Sequence, residues 1–223
     1  MPIDFEQARF AMVEQQVRPW EVLDPRVLDV LSAVKRENFV PVRHRKLAFA
    51  DLALPMEHGE FMLKPLVEGR LLQALDLAPE DEVLEIGTGS GFLTACLAQL
   101  ARAVTSIDLH ADFVARAQSR LQSLGMTCAR IEQADALSFE PGRQFDAIAV
   151  SGAVSEIPAR FRDWLKPGGR MFVVRGLSPV QEAVTLTRNG DAGGTDAHFS
   201  IESLFETDVP YLRGAAPIER FAL

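Results

Sequence analysis

The chain predicts an α/β protein built on a parallel, doubly wound sheet that closes with an antiparallel hairpin and carries a helical segment at its front. Three observations predict it. From residue 80 onward, short apolar strands alternate with helical stretches, the rhythm of a parallel sheet with crossover helices. A glycine-rich turn, Gly87 to Gly91, joins the first of these strands to the first helix. After residue 180 the rhythm breaks into two extended stretches with no helix between them, and strands joined in that way run antiparallel.

Each element has a local reason. In the front segment, residues 1–78, Phe10, Val13 and Val17 recur at helical spacing and Pro19 ends the pattern. Asp24 before Pro25 reads as an N-cap followed by proline in the first helical position, and Val27, Leu28, Val30 and Leu31 continue that helix. A loop containing Pro41, Pro55 and Gly59 leads to a third helix over about 66–75. In residues 79–223 strands are expected at 83–86, 104–107, 127–132, 145–150 and 170–174, with helices at 92–101, 111–124 and 157–165. Lys166-Pro167-Gly168-Gly169 is expected as a turn. Residues 180–187 alternate apolar and polar, Asn189-Gly190 and Gly193-Gly194 make a flexible turn, and 199–209 supplies the returning strand.

Composition bounds the function. A length of 223 residues with 48% hydrophobic and 24% charged residues makes one folded domain, residues 1–223, with a sizeable core and no need of a metal or disulfide staple. The net charge of -8 argues against nucleic acid as a partner, because phosphate contacts need clustered Lys and Arg. Cys96 and Cys128 lie in apolar stretches and read as buried reduced thiols, so no metal is expected. The first ten residues are acidic and unlike a signal peptide, and no apolar run reaches the roughly 18 residues of a membrane helix. The expectation is a cytoplasmic protein without a membrane partner.

The stretch Glu85-Ile86-Gly87-Thr88-Gly89-Ser90-Gly91 is the strongest local signal. Glycines let a backbone turn tightly against a ligand, and the helix start that follows offers free N–H groups to an anionic group. Taken alone, such a turn also serves as a plain strand-to-helix connection. Asp108 ends the second strand, 17 positions after Gly91, where a carboxylate accepts both hydroxyls of a ribose; otherwise it caps the helix from Ala111. Asp135 follows the third strand at the same sheet edge, within reach of an adenine amine, or is a solvated loop residue. Phe92 stands where a dinucleotide fingerprint has its third glycine. Glu85 suits a cationic ligand end better than a pyrophosphate. S-adenosylmethionine, which carries an amine and a sulfonium, fits these residues better than a dinucleotide. The expected cofactor-binding set is Glu85, Gly87, Thr88, Gly89, Ser90, Gly91, Asp108, Leu109, Asp135, Ala136 and Ser151.

The stretch VLEIGTGSGFLTACLA (83–98) resembles motif I of the class I methyltransferases, and most closely that of the protein-L-isoaspartate O-methyltransferase family. EQQVRPWEVLDPRVLDVL (14–31) and RENFVP (36–41) resemble that family's N-terminal helices. FDAIAVSGAVSEIP (145–158), LKPGG (165–169) and Asp208-Val209-Pro210-Tyr211-Leu212 resemble its fourth strand, the turn that follows and its C-terminal Val-Pro segment. The resemblance implies a Rossmann-like sheet of seven strands, S-adenosylmethionine as cofactor, and methyl esterification of damaged aspartyl carboxylates in proteins.

The match fails at one place. The family carries Gly-Gln-Thr-Ile-Ser-Gln-Pro over the transfer site, and its hydroxyls help to position the acceptor. Here the segment is Gly59-Glu60-Phe61-Met62-Leu63-Lys64-Pro65. The framing glycine and proline stand, but both hydroxyls are replaced by Phe61 and Leu63. Ser151-Gly152-Ala153-Val154 likewise stands for the family's Thr-Ala-Ala-Pro. An acceptor carboxylate is oriented by hydrogen-bond donors, and Phe61, Met62 and Leu63 supply none. Glu60 repels a carboxylate or serves as base for a hydroxyl or amine; His58 is a second candidate base. His110 is expected beside the adenosine, and Lys64 and Arg70 either steer an anionic acceptor or are plain surface charges. The catalytic residues stay open. So does the partner: a protein or peptide with a damaged aspartyl residue, a small-molecule acceptor, or, in a non-catalytic homologue, the cofactor alone. The oligomeric state is not legible.

Overall fold

The structure, a computed structural model, describes residues 3–190 and 198–217. It begins with α1 (Phe5–Ala11), whose start is capped by Asp4 accepting from the Glu6 and Gln7 N–H groups. The helix then widens into a π-helical turn over Met12–Val17 and tightens again at Arg18–Trp20. That widening rotates the apolar stripe. Met12, Val13 and Val17 are buried, while Phe10 is 65% exposed, so the expected stripe through Phe10 holds only from Val13 onward. α2 (Pro25–Ala33) starts at Asp24, which accepts from the Arg26 N–H, as expected.

The expected loop before the third helix contains a small antiparallel hairpin, β1 (Leu54–Pro55) against β2 (Phe61–Met62), with Leu54 opposite Met62 and Pro55 opposite Phe61. Two residues per strand carry no periodicity, so nothing local announces it. α3 (Pro65–Leu75) follows, one residue earlier than expected.

Then come β3 (Glu82–Ile86), α4 (Phe92–Leu100), β4 (Ala103–Asp108), α5 (Ala111–Ser123), β5 (Ala129–Gln133), β6 (Phe145–Val154), α6 (Ala159–Asp163), β7 (Leu165–Leu177), β8 (Val180–Arg188) and β9 (Phe199–Thr207). They form one seven-stranded sheet in the order β5-β4-β3-β6-β7-β8-β9. The first five run parallel, and β8 and β9 pair antiparallel at the edge. The order reverses at β3, and a crevice opens at such a switch point.

Three expectations are corrected. The Lys-Pro-Gly-Gly stretch is not a separate turn: β7 begins at Leu165 opposite Phe145, bulges through Gly168 (φ 79°), and regains register at Arg170 opposite Ala147. β6 runs to Val154, because it regains pairing with β7 at Ala153 and Val154 after a bulge, and the C-terminal segment bridges Ala153 from the other side. α6 is short, since β7 begins where the helix was expected to end. Gly193-Gly194, expected in the last turn, lie outside the described residues.

Alternate strand residues face opposite sides of the sheet. Val83, Val104, Ala147, Ala149 and Phe172 pack with α2, α3 and α4, whereas Leu84, Ile86, Ile148, Val150, Phe161 and Trp164 build the second core. The front helices thus share a core with the sheet. A buried ion pair ties them together. Arg36 meets Glu68, donates to the Ala48 carbonyl (2.8 Å) and the Leu63 carbonyl (2.7 Å), and lies over the Phe92 ring at 4.8 Å. Burial pushes the Glu68 carboxyl up to about 7 against the pull of Arg36. Cys96 is buried, but Cys128 is only half-buried and donates to the Ala98 carbonyl at 3.4 Å.

Candidate active site

The crevice is an open cleft of about 810 Å³ of free space, solvent at its mouth included. One wall is the strand ends. The turn after β3 bends with Gly87 at φ 95° and Gly89 at φ 50°, and the Gly87 and Thr88 N–H groups both donate to the Ile107 carbonyl of β4 (2.8 and 3.2 Å). Asp108, at the end of β4, accepts from the Gly89 N–H through one oxygen and the His110 N–H through the other, each at 2.8 Å. Burial raises its carboxyl, and those two donors oppose the rise. A Cβ on Gly87 would lie 3.2 Å from Ser151 Cβ, so bare backbone is what leaves room there.

Of the expected cofactor-binding residues, Gly87, Gly89, Asp108, Leu109, Asp135, Ala136 and Ser151 line this cleft. The others support it from behind. Thr88 and Ser106 share a buried hydroxyl contact at 2.6 Å. Ser90 accepts from the Phe92 N–H at the start of α4 (3.3 Å), and a Cβ on Gly91 would lie 3.0 Å from that of Ala117. Glu85 was expected at the cationic ligand end. Its side chain lies fully buried directly beside the turn, with Oε2 accepting from Thr94 and Ser106 at 2.5 Å each. Burial drives its carboxyl up to about 8, against the opposing pull of the Ser106 and Thr94 hydroxyls. Its Oε1 has no partner among the described residues.

The facing wall comes from the β1–β2 hairpin and the C-terminal segment. Glu60, Phe61 and Leu63 line the cleft, with Phe61 42% exposed. Met62 points into the core, and Lys64 precedes α3 without lining the cleft. His58 (φ 61°) contacts Asp112 at 2.8 Å and stacks on His110 at 4.0 Å, with the rings 5° from parallel. His110 lines the cleft and approaches Glu60 at 3.5 Å. Arg70 steers nothing here. It donates to the Trp20 and Leu204 carbonyls and pairs with Glu21.

Sequence reasoning missed Met56, Tyr211, Leu212 and Arg213 as lining residues. The Val-Pro resemblance covered Tyr211 and Leu212 but not Arg213, and it did not give their reach. The Ala153 N–H donates to the Pro210 carbonyl (2.9 Å) and the Leu212 N–H to the Ala153 carbonyl (2.8 Å), which lays the segment along the end of β6. A Cβ on Gly152 would come within 2.7 Å of Leu212, so glycine allows that approach. Arg213 then crosses the cleft mouth and donates to the His58 carbonyl at 3.1 Å.

A family model described as Protein-L-isoaspartate(D-aspartate) O-methyltransferase (PCMT) matches residues 7–202. The chain belongs to this family. A protein-L-isoaspartate O-methyltransferase of Methylorubrum extorquens is 37% identical over 212 residues, spanning 95% of this chain and 91% of that one. A relative of the same name from a Roseiflexus species is 35% identical, spanning 87% and 89%. Among solved structures, a Plasmodium falciparum chain assigned to the PCMT family and bound to S-adenosylhomocysteine superposes with a TM-score of 0.76 at 18% identity, over 92% of this chain and 97% of that one. The PCMT fold thus extends over the front helices as well as the sheet. Among the described residues no His, Cys, Asp and Glu cluster suits a metal, and no helix is long and apolar enough to cross a membrane.

Proposed function

We propose that this chain transfers the methyl group of S-adenosylmethionine to a carboxylate of damaged aspartyl residues in proteins. One observation carries the reading: in a chain of the PCMT family, the cleft at the strand ends is lined by Gly87, Gly89, Asp108 and Asp135. These residues fit the cofactor. The glycine turn leaves a cradle that side chains would fill, and Glu85 Oε1 is a buried oxygen without a partner next to that turn, suited to an ammonium or a bridging water. Asp108 would hold the ribose, Asp135 with Ala136 the adenine, and Gly87 and Gly89 the methionine end. Bound there, S-adenosylmethionine supplies an electrophilic methyl group. A carboxylate acceptor is already ionised at neutral pH, so the task of this chain's residues is alignment and exclusion of water rather than proton removal.

A specific observation favours a second reading, a different acceptor in the same cleft: Phe61 and Leu63 line the wall where the family has hydroxyls. One pair of measurements separates the readings. Calorimetry with S-adenosylhomocysteine tests the cofactor site, and turnover of an isoaspartyl hexapeptide tests the acceptor. Micromolar binding with turnover supports the first reading. Binding without turnover shifts the acceptor to another molecule, such as a small-molecule carboxylate, and no binding at millimolar ligand removes both.

A further inference from the structure

We propose that Arg213 binds the acceptor carboxylate, and that Glu60 occupies its place until the acceptor arrives. The inference rests on the isoaspartyl reading above and names the recognition element that the altered 59–65 segment lacks.

A carboxylate entering the cleft needs a donor. Among the lining side chains that are described, few have one to offer. The Tyr211 hydroxyl is committed, donating to the Gly176 carbonyl and accepting from the Ser178 N–H at 2.9 Å each. Ser151 Oγ has no partner among the described residues but has almost no accessible surface, so it does not face an acceptor at the mouth. His110 stands beside Asp108, with its ring against His58 and Phe113 and its Nε2 already turned to Glu60 at 3.5 Å. Arg213 remains. It lies at the mouth with 58% of its side chain exposed, and its guanidinium is the cationic fork that a carboxylate matches.

Its position is built. The flanking backbone pairs with Ala153. The Ala215 N–H donates to the Leu212 carbonyl and the Ser155 N–H to the Ala215 carbonyl (2.9 and 2.8 Å). The side chain then spans to the hairpin through the His58 carbonyl. Glu60 Oε1 sits 3.6 Å from Arg213 Nε and 3.5 Å from His110 Nε2. One carboxylate thus already stands against the Arg213 guanidinium, with the His110 ring beside it to hold it when displaced. An exposed pair at this separation is weak, so exchange with an incoming carboxylate costs little.

The test compares wild type, Arg213→Met, Arg213→Lys and Glu60→Gln. KM and kcat are read on an isoaspartyl hexapeptide, and the Kd of S-adenosylhomocysteine by calorimetry. Arg213→Met is expected to raise KM about tenfold, as for loss of one charge-assisted contact, with kcat and the S-adenosylhomocysteine Kd within about twofold. Arg213→Lys restores much of the KM, Glu60→Gln lowers it severalfold, and raising salt weakens wild type more than Arg213→Met. An unmoved KM in Arg213→Met, or a Kd that shifts as much as the KM, overturns the role of Arg213 while leaving the isoaspartyl reading intact. A wild type that binds S-adenosylhomocysteine but never turns over the peptide overturns that reading, and this one with it.

Discussion

The two walls of the cleft are made differently. The strand-end wall is backbone and short side chains: Gly87 and Gly89 in left-handed conformations, and Asp108 clamped by two N–H groups at 2.8 Å. The facing wall is made of side chains that meet across the chain, with Arg213 reaching His58 over 155 positions, and with ion pairs that are half exposed. The first wall follows from sheet topology, so any change in it disturbs the turn itself. The second is closed across the mouth by partly exposed ion pairs worth little each, so its exposed side chains change at little cost to the fold. That difference explains how a PCMT chain keeps its motif I and loses two hydroxyls opposite it.

The largest expected effect breaks the first wall. Gly87→Val must hold φ near 95° and crowd Ser151, a strain of about 1–3 kcal/mol. Calorimetry is expected to find no S-adenosylhomocysteine binding up to millimolar ligand, with circular dichroism still reporting a folded chain. Normal binding would mean that the turn is not the cradle.

Next comes Asp108→Ala, which removes a buried acceptor and leaves two N–H groups unpaired. Its affinity for S-adenosylhomocysteine should fall about 100-fold, or roughly 2–3 kcal/mol, and Asp108→Asn should fall less. Unchanged affinity refutes the ribose role.

A change confined to the second wall should leave the first untouched. The double variant Phe61→Thr with Leu63→Ser is expected to lower the isoaspartyl peptide KM about tenfold through new donors, with S-adenosylhomocysteine affinity within twofold. Leu63 is buried, so unfolding stability should drop by about 1–3 kcal/mol. If cofactor affinity moves with KM, the walls are not separable.

The smallest effect lies beneath the turn. Glu85 is raised to about 8 in the folded chain, above the roughly 4.3 of an unfolded glutamate. Between those values the folded state holds a proton that the unfolded state has released. Its contribution is therefore full below about pH 4 and is lost as pH rises toward 8. Glu68, raised to about 7, acts in the same direction over most of that range. Thermal melts of wild type should decline from pH 5 to 8, and Glu85→Gln should flatten part of that slope. An equal slope in both proteins would show that Glu85 ionises normally.

Legibility divides along the same line. The starts of α2 and α4 and the end of β4 were readable, because a cap, a glycine turn or an apolar run states them locally. The β1–β2 hairpin was not, since two-residue strands have no period. Phe10 misled because a π-helical turn rotated the face after it. Among the residues that line the cleft, Asp108, Gly87 and Gly89 were legible from spacing. Thr88, Ser90 and Gly91 sit within the same motif yet face inward, and no spacing distinguishes them from their neighbours.

The sequence by itself determined the alternation of strands and helices from β3 onward, the place of the glycine turn and the altered 59–65 segment, because periodicity, capping and motif act over a few residues. Only the tertiary structure decided that Glu85 is buried with its carboxyl pushed upward, and that Arg213 faces Glu60 across the cleft mouth. Charge state depends on burial, and pairing depends on which remote segments fold together. Neither is encoded within a single stretch of this chain.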